Sequence, residues 1–179
     1  MTTAIKLAIT ASLLALGFAT AAPARAECFL KVDGVKGEST DAKHNGEIEV
    51  LAWSWGLTQS ASTHVSAGAG TGSADFGDIK ISKALDHTTP TLTQFAAKGT
   101  AVNNATLSCR QSAKSNGDYL TISLTLVLVS SLKVAIDKER PTEEISLNFN
   151  QIKMTHRQPK SDGSLGEAVT FTFNIAKKQ

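Results

Sequence analysis

Apolar residues recur mostly at every second position along this chain, a pattern typical of β-strands that turn one face to a core. The clearest run spans residues 120–129. Its predicted apolar face consists of Leu120, Ile122, Leu124, Leu126 and Leu128. Similar runs predict strands at 28–33, 47–59, 73–83, 105–110, 145–154 and 169–175. The phase of the pattern changes at 150–151, which predicts a bulge or a sharp bend there.

One short helix is predicted among these strands. Thr89 can cap it, Pro90 suits its first position, and Gly99 can end it. The stripe facing the sheet would be Leu92, Phe95 and Ala96. Residues 37–46, 60–72 and 130–141 are predicted to be loops. The fold class is therefore all-β, a small β-barrel of about seven to nine strands with one short flanking α-helix.

The first 26 residues have the parts of a secretory signal peptide. Lys6 is followed by an uncharged apolar run at 7–22, and Ala24-Arg25-Ala26 fits an A-x-A cleavage site. Cleavage there would leave residues 27–179 as a single domain. A transmembrane anchor is the alternative, but the run is short for a span. Lipid attachment at Cys28 is disfavoured by the Glu27 that precedes it.

Charge and composition exclude several functional classes. The leader holds two of the 18 basic residues and none of the 16 acidic ones, so the mature chain has a net charge of zero. This balance offers no electrostatic footprint for nucleic acid or for stable membrane attachment. The four histidines are far apart and are expected at the surface, and the pair Glu143-Glu144 is expected at a solvated edge. We therefore predict no catalytic residues, no metal, no cofactor and no enzymatic activity.

The two cysteines, Cys28 and Cys109, are both in predicted strands and on apolar faces. An even count in an oxidising compartment permits one disulfide between them. The alternative is two buried free thiols, which would behave as small apolar side chains.

The strand that contains Trp53, Ser54 and Trp55 has an unusual pair of faces. With Trp53 and Trp55 turned to the core, together with Leu51 and Leu57, the opposite face carries only small side chains. These are Ala52, Ser54, Gly56 and Thr58. A wall of this kind suits a smooth, water-lined surface, and the alternative is an ordinary solvent-exposed face.

Several blocks of the sequence together resemble one known family. They are FLKVDGVKGEST, EIEVLAWSWGLTQSAS, TPTLTQFAAKG, VLVSS with RPTEEISLNF, and QPKSDGSLGE. In this order they resemble the Hcp (haemolysin-coregulated protein) family, whose rings form the inner tube of bacterial type VI secretion systems. The resemblance extends over the whole of the mature chain.

The resemblance implies a structural tube subunit. Six copies would form a ring, rings would stack, and effectors would pass through the lumen, with secretion spike and sheath proteins as further partners. It implies that Ser54 lies on the lumen wall and contacts cargo, and that residues 60–72 reach toward the neighbouring ring. The leader predicts a secreted or periplasmic protein. An exported Hcp-like binding protein that takes no part in a tube is the alternative.

Overall fold

A computed structural model describes residues 26–60, 73–112, 115–136 and 141–178. Within these ranges the chain forms ten strands and one helix. In chain order they are β1 (Glu27–Val32), β2 (Ile48–Val50), β3 (Ala52–Ser54), β4 (Leu57–Gln59), β5 (Ala74–Phe76), β6 (Ile79–Ala84), α1 (Thr89–Lys98), β7 (Ala101–Arg110), β8 (Leu120–Ile136), β9 (Pro141–Pro159) and β10 (Leu165–Asn174).

Eight of the strands form one antiparallel sheet that curls into a nearly closed barrel. Its order is β2-β1-β7-β8-β9-β6-β3, with β10 added to β9, while β4 and β5 form a separate two-stranded ribbon. The two ends of the sheet belong to one segment, 48–54, because β2 pairs with β1 and β3 pairs with β6. Between them, the Leu51 N–H donates to the Ser82 carbonyl at 2.8 Å. The predicted barrel with a single helix is therefore confirmed.

The core lies inside this barrel and is almost entirely aliphatic. Alternate residues of the strands supply it, because successive side chains of a strand point to opposite faces. Its members with 1% exposure or less include Leu30, Ile48, Ile79, Ile81, Leu107, Ile122, Leu124, Val127, Ile145, Leu147 and Ile152. The helix α1 adds Leu92, which has no exposed surface, and Phe95 and Ala96 pack beside it.

The helix begins one residue earlier than the sequence indicated. Thr88 is its N-cap residue and makes no capping bond with its own side chain. Instead, the Asp86 carboxylate accepts hydrogen bonds from the Thr88 N–H at 2.8 Å and from its hydroxyl at 2.5 Å. Gly99 ends the helix at φ 62°, a left-handed conformation that favours glycine, as predicted.

The predicted loop at 130–141 is wrong for the part that the structure describes. Strand β8 continues to Ile136 and β9 begins at Pro141, so the two form a long antiparallel pair. The register between them shifts by one residue at Ser130, between Val129 and Ser131. Polar and small residues in this part obscure the apolar alternation that predicts a strand. The strand is stabilised by pairing with its partner and not by its local sequence pattern.

The predicted apolar face of β8 is also wrong beyond Leu124. Leu126 is 52% exposed, whereas Val127 and Val129 are buried. Leu126 has φ 51°, and the core-facing phase changes there in β8 just as it changes at 150–151 in β9. The pairing register is the same on both sides of this point, because both strands change phase together. The phase change predicted from the sequence at 150–151 in β9 is therefore matched by a phase change at Leu126 in its partner strand, β8.

The single strand predicted at 47–59 is three short strands. Leu51 interrupts it between β2 and β3, and Trp55 and Gly56 separate β3 from β4. Leu51 is 55% exposed and Leu57 is 47% exposed. The prediction that both face the core is therefore wrong. The interruption at Leu51 lets one segment leave its pairing with β1 and begin its pairing with β6.

Candidate functional site

The segment with Trp53, Ser54 and Trp55 lies at the end of β3. Both tryptophans are half-buried and pack against the core cluster. The Trp55 indole N–H donates to the Gly77 carbonyl at 3.0 Å, which fixes the ring over the β5–β6 connection. Ser54 is exposed between them. The structure thus leaves the Ser54 hydroxyl free to meet another molecule, and its contact with cargo stays a prediction.

A shallow cavity of about 380 Å³ lies beside Ser54. Its lining residues are Ser54, Trp55, Gly56, Thr58, Asp75, Gly77, Asp78 and Lys80. Asp78 is held in place, because its carboxylate accepts hydrogen bonds from the Ser130 hydroxyl at 2.5 Å and from the Asn148 amide at 2.8 Å. The surface around Ser54 therefore offers hydroxyl, carboxylate and ammonium groups, with one aromatic ring.

The two cysteines meet between the first and seventh strands. Cys28 and Cys109 are Cα partners in the β1–β7 pairing, and a bond of 2.03 Å joins their sulfurs. Neither cysteine lines the cavity beside Ser54. The disulfide and the Ser54 surface are therefore separate features of the barrel.

Arg110, next to the disulfide, is the centre of an ionic network that the sequence did not indicate. It is 2% exposed. Its guanidinium donates to Glu27 at 2.7 and 2.9 Å and to Asp41 at 2.5 and 2.9 Å, and it lies 5.0 Å from the centre of the Phe29 ring. The hydrogen bonds from Arg110 hold the pKa of Asp41 well below its usual range, and those to Asp41 and Glu27 raise the pKa of Arg110. The network ties the 37–47 loop to β1 and β7.

His44 is 5% exposed, so its predicted surface position is wrong. Its ring stacks on Phe29 at 4.3 Å. Its Nδ1 lies 2.9 Å from a Glu47 carboxylate oxygen, and its Nε2 lies 3.1 Å from one of Asp118. No local sequence pattern indicates the burial of His44, because it depends on two loops meeting.

Lys83 and Glu143 form a buried ion pair, so the predicted solvated position of Glu143 is also wrong. Neither side chain has exposed surface, and the Lys83 Nζ lies 2.7 Å from a Glu143 oxygen. The geometry is that of an ion pair, since neither Glu143 oxygen accepts a well-directed hydrogen bond from the described residues. Lys83 also donates to the Ala84 carbonyl and to Asp86, each at 2.8 Å. These contacts of Lys83 fix the turn that leads into α1.

The described residues contain no group of three or more His, Cys, Asp or Glu side chains placed to hold a metal ion. In the same part of the chain, no helix is both long and apolar enough to cross a membrane. The polar clusters at Arg110 and Lys83 are instead built from ion pairs that join strands to loops. Their geometry accounts for how these loops are held against the strands.

Comparison with known proteins identifies the family. The family model described as "Type VI secretion system effector, Hcp" matches residues 29–156. This range begins in β1 and ends near the end of β9, so it contains the helix, the Ser54 surface and most of the barrel, but not β10.

Three relatives agree with that match. Protein hcp1 of Pseudomonas aeruginosa is 39% identical over 153 residues, which cover 83% of this chain and 94% of that protein. The crystal structure of Hcp1 from Salmonella typhimurium is 25% identical, with a TM-score of 0.71 over 86% of this chain and 97% of that one. A type VI secretion system effector from Yersinia pestis is 29% identical, with a TM-score of 0.67 over 83% and 99%. This chain therefore belongs to the Hcp family of type VI secretion system tube proteins.

Proposed function

We propose that this protein is a tube subunit whose copies form six-membered rings that stack and carry effectors through their lumen. The observation that carries the proposal is the family match, which spans most of the barrel and not a single motif. The family is a structural secretion family.

Two exposed apolar strips support assembly into a closed ring. One strip is on the outer part of β8, residues 131–136, where Val134 is 47% and Ile136 is 83% exposed. The other is on β10, where Val169 is 73% and Phe171 is 43% exposed. In the described pairings, β10 and the outer part of β8 each pair only with β9, on its two opposite sides. Different surfaces on opposite sides favour head-to-tail contacts, which form a ring when the rotation between neighbouring copies closes.

Native mass spectrometry of the purified protein at high micromolar concentration tests the ring. We expect a species of six copies, and a strictly monomeric protein would contradict the proposal. Phe171→Asp should weaken the assembly, because it places a charge on a strip that a neighbouring copy would cover. The matched control is Thr172→Asp, at the next and oppositely directed position of β10, which is also exposed.

Ser54 is proposed to contact cargo as a small hydrogen-bonding group on the lumen wall. Its exposure and the polar residues of the adjoining cavity support this role. Ser54→Arg should reduce the amount of effector that co-purifies with the ring, because a long side chain would protrude from a surface of small ones. Gln94→Arg, at an exposed position of α1 that does not line the cavity beside Ser54, is the control. Equal losses of effector in Ser54→Arg and Gln94→Arg would contradict the role of Ser54.

The leader at 1–26 is proposed to direct the chain out of the cytoplasm, leaving a mature domain that begins at Glu27. Strand β1 begins at Glu27, the residue that follows the Ala24-Arg25-Ala26 motif. Amino-terminal sequencing of protein from cell fractions tests this. Mature protein in the periplasm of a strain without the contractile machine would support an exported binding protein, and unprocessed protein confined to the cytoplasm would contradict export.

A further inference from the structure

The chain contains two Asn-Gly dipeptides, and both are in loops. Asn45-Gly46 is in the loop between β1 and β2, and Asn116-Gly117 is in the loop between β7 and β8. Both asparagines are exposed. Asn-Gly is chemically labile, because glycine has no side chain that would keep its backbone nitrogen away from the side-chain carbonyl of the asparagine. By sequence alone, the two dipeptides are therefore equally reactive.

The structure holds the two glycine nitrogens differently. The Gly46 N–H donates to the Ser39 carbonyl at 2.8 Å, and the Gly46 carbonyl accepts from the Gly37 N–H at 2.7 Å. Within the part of the chain that the structure describes, nothing accepts a hydrogen bond from the N–H groups of residues 116–118. A backbone nitrogen must give up its hydrogen bond before it can attack. Folding therefore protects the first dipeptide and leaves the second one reactive.

The loop that contains the second dipeptide is anchored at its two ends. The Ser115 N–H donates to the Ser112 carbonyl at 3.0 Å, and the Tyr119 N–H donates to the Cys109 carbonyl at 2.9 Å. Between these anchors the backbone can rotate at small cost, because no described hydrogen bond of its N–H groups has to break. The Gly117 nitrogen can therefore reach the side-chain carbonyl of the asparagine before it.

We propose that Asn116-Gly117 is a site of spontaneous deamidation. The Gly117 nitrogen bonds to Cγ of Asn116, the Cγ–Nδ2 bond breaks, and ammonia leaves with the proton of the Gly117 N–H. Water then opens the cyclic imide. Opening at the side-chain carbonyl gives aspartate, and opening at the main-chain carbonyl gives isoaspartate, whose main chain runs through Cβ. One amide and one water thus yield one carboxylic acid and one ammonia, and nothing is oxidised or reduced.

The reacting dipeptide lies between two contacts that hold the loop between β1 and β2. The Ser115 carbonyl accepts a hydrogen bond from the Lys43 Nζ at 3.0 Å, and an Asp118 carboxylate oxygen lies 3.1 Å from the His44 Nε2. Isoaspartate lengthens the main chain between these two contacts, so their spacing no longer matches that of Lys43 and His44. Deamidation at Asn116 therefore loosens the loop between β1 and β2, and it does not depend on ring formation or on secretion.

Peptide mass spectrometry of the purified protein, incubated at mildly alkaline pH, measures both deamidation rates in one sample. We expect Asn116 to react roughly tenfold faster than Asn45 in the folded protein, because the two hydrogen bonds of Gly46 must break first. In urea, with the disulfide intact, the two rates should converge, because the hydrogen bonds of Gly46 are lost. Equal rates in the folded protein, or a ratio that urea leaves unchanged, would overturn the proposal.

A variant tests the protection of Asn45 directly. In Gly37→Ala the added Cβ would lie 2.1 Å from the Glu47 carbonyl oxygen, which disturbs the pairing that holds Gly46. We expect Asn45 to react about twofold to tenfold faster in this variant, with the rate at Asn116 unchanged. Gly56→Ala, whose Cβ would meet nothing within 4 Å, is the control and should change neither rate. An unchanged rate at Asn45 in Gly37→Ala would overturn the role of these hydrogen bonds.

Amide hydrogen exchange tests the effect on the loop. In the fraction deamidated at Asn116, the Gly46 N–H should exchange about twofold to tenfold faster than in fresh protein. The Leu92 N–H, which donates to the Thr88 carbonyl in α1, is the control and should not change. Unchanged exchange at Gly46 would overturn the loosening of the loop.

Discussion

Replacing Lys83 by methionine should strongly destabilise the protein, because it leaves the buried Glu143 carboxylate without a counter-ion. The side chains of Lys83 and Glu143 have no exposed surface, and the ammonium group is the only described cation within ion-pair distance of Glu143. Methionine keeps the length and apolar stem of the lysine, so the lost charge is the main change. Asp86 is less affected, because it keeps its hydrogen bonds from Thr88.

Removing one partner of a buried ion pair costs about 3–5 kcal/mol. For a domain of this size, each kcal/mol shifts the midpoint of thermal unfolding by about 2–4 °C. Lys83→Met should therefore lower the midpoint by roughly 6–20 °C. The double variant Lys83→Met/Glu143→Leu should recover much of the loss, because apolar residues of similar volume often replace a buried pair without cost.

Thermal and urea unfolding of the four members of this double-mutant cycle, at one protein concentration, measure the coupling. Lys80→Met is the matched control, because Lys80 is on the same strand but exposed, and a change within about 0.5 kcal/mol is expected. The reasoning fails if Lys83→Met costs less than about 1 kcal/mol. It also fails if the double variant is as unstable as the sum of the single variants.

Three other outcomes are expected. The pKa of Asp41 is depressed, so ionised Asp41 stabilises the fold above about pH 4, and this contribution fades as the pH falls further. Asp41→Asn should therefore reduce the loss of stability at acid pH that urea unfolding measures. Gly37→Ala should cost about 2 kcal/mol in the same assay, because an added Cβ would lie 2.1 Å from the Glu47 carbonyl oxygen; Gly56→Ala, whose Cβ would meet nothing within 4 Å, is the control and should change little. The His87 ring donates hydrogen bonds to the Glu38 carboxylate and to the Lys36 carbonyl, and these raise the pKa of His87. Glu38→Gln should therefore move this pKa back toward 6.5 in an NMR titration, and an unmoved pKa would assign the shift to the carbonyl.

Periodicity located the strands well but failed where charged residues are in the buried phase. Lys83 has the same phase as Ile79 and Ile81, and Glu143 has the same phase as Ile145 and Leu147. A lysine and a glutamate, each in the core-facing phase of its strand, are a signal for a buried ion pair that sequence reasoning could have used. Recognising the pair also requires knowing that β6 and β9 are neighbours, which local patterns do not report.

The Ser54 surface was predictable, because small side chains alternate with the two tryptophans and therefore share the opposite face of the strand. The breaks in its strand were not. Leu51 is exposed because the segment changes partners there, from β1 to β6, and that change closes the barrel. Likewise, the exposure of Val169 and Phe171 could not be read from an apolar alternation, since the same pattern fits a buried strand and a strand that awaits another copy.

By itself, the sequence determined the fold class, the helix with its glycine end and the family, because alternation, end signals and ordered sequence blocks are local properties. The tertiary structure alone decided which strands close the barrel, that Cys28 faces Cys109 across a strand pair, and that Arg110, His44 and Lys83 are buried with charged partners. These features depend on residues far apart in the chain. Only pairing and packing bring such residues together, because the burial of a charge is decided by the neighbours that compensate it.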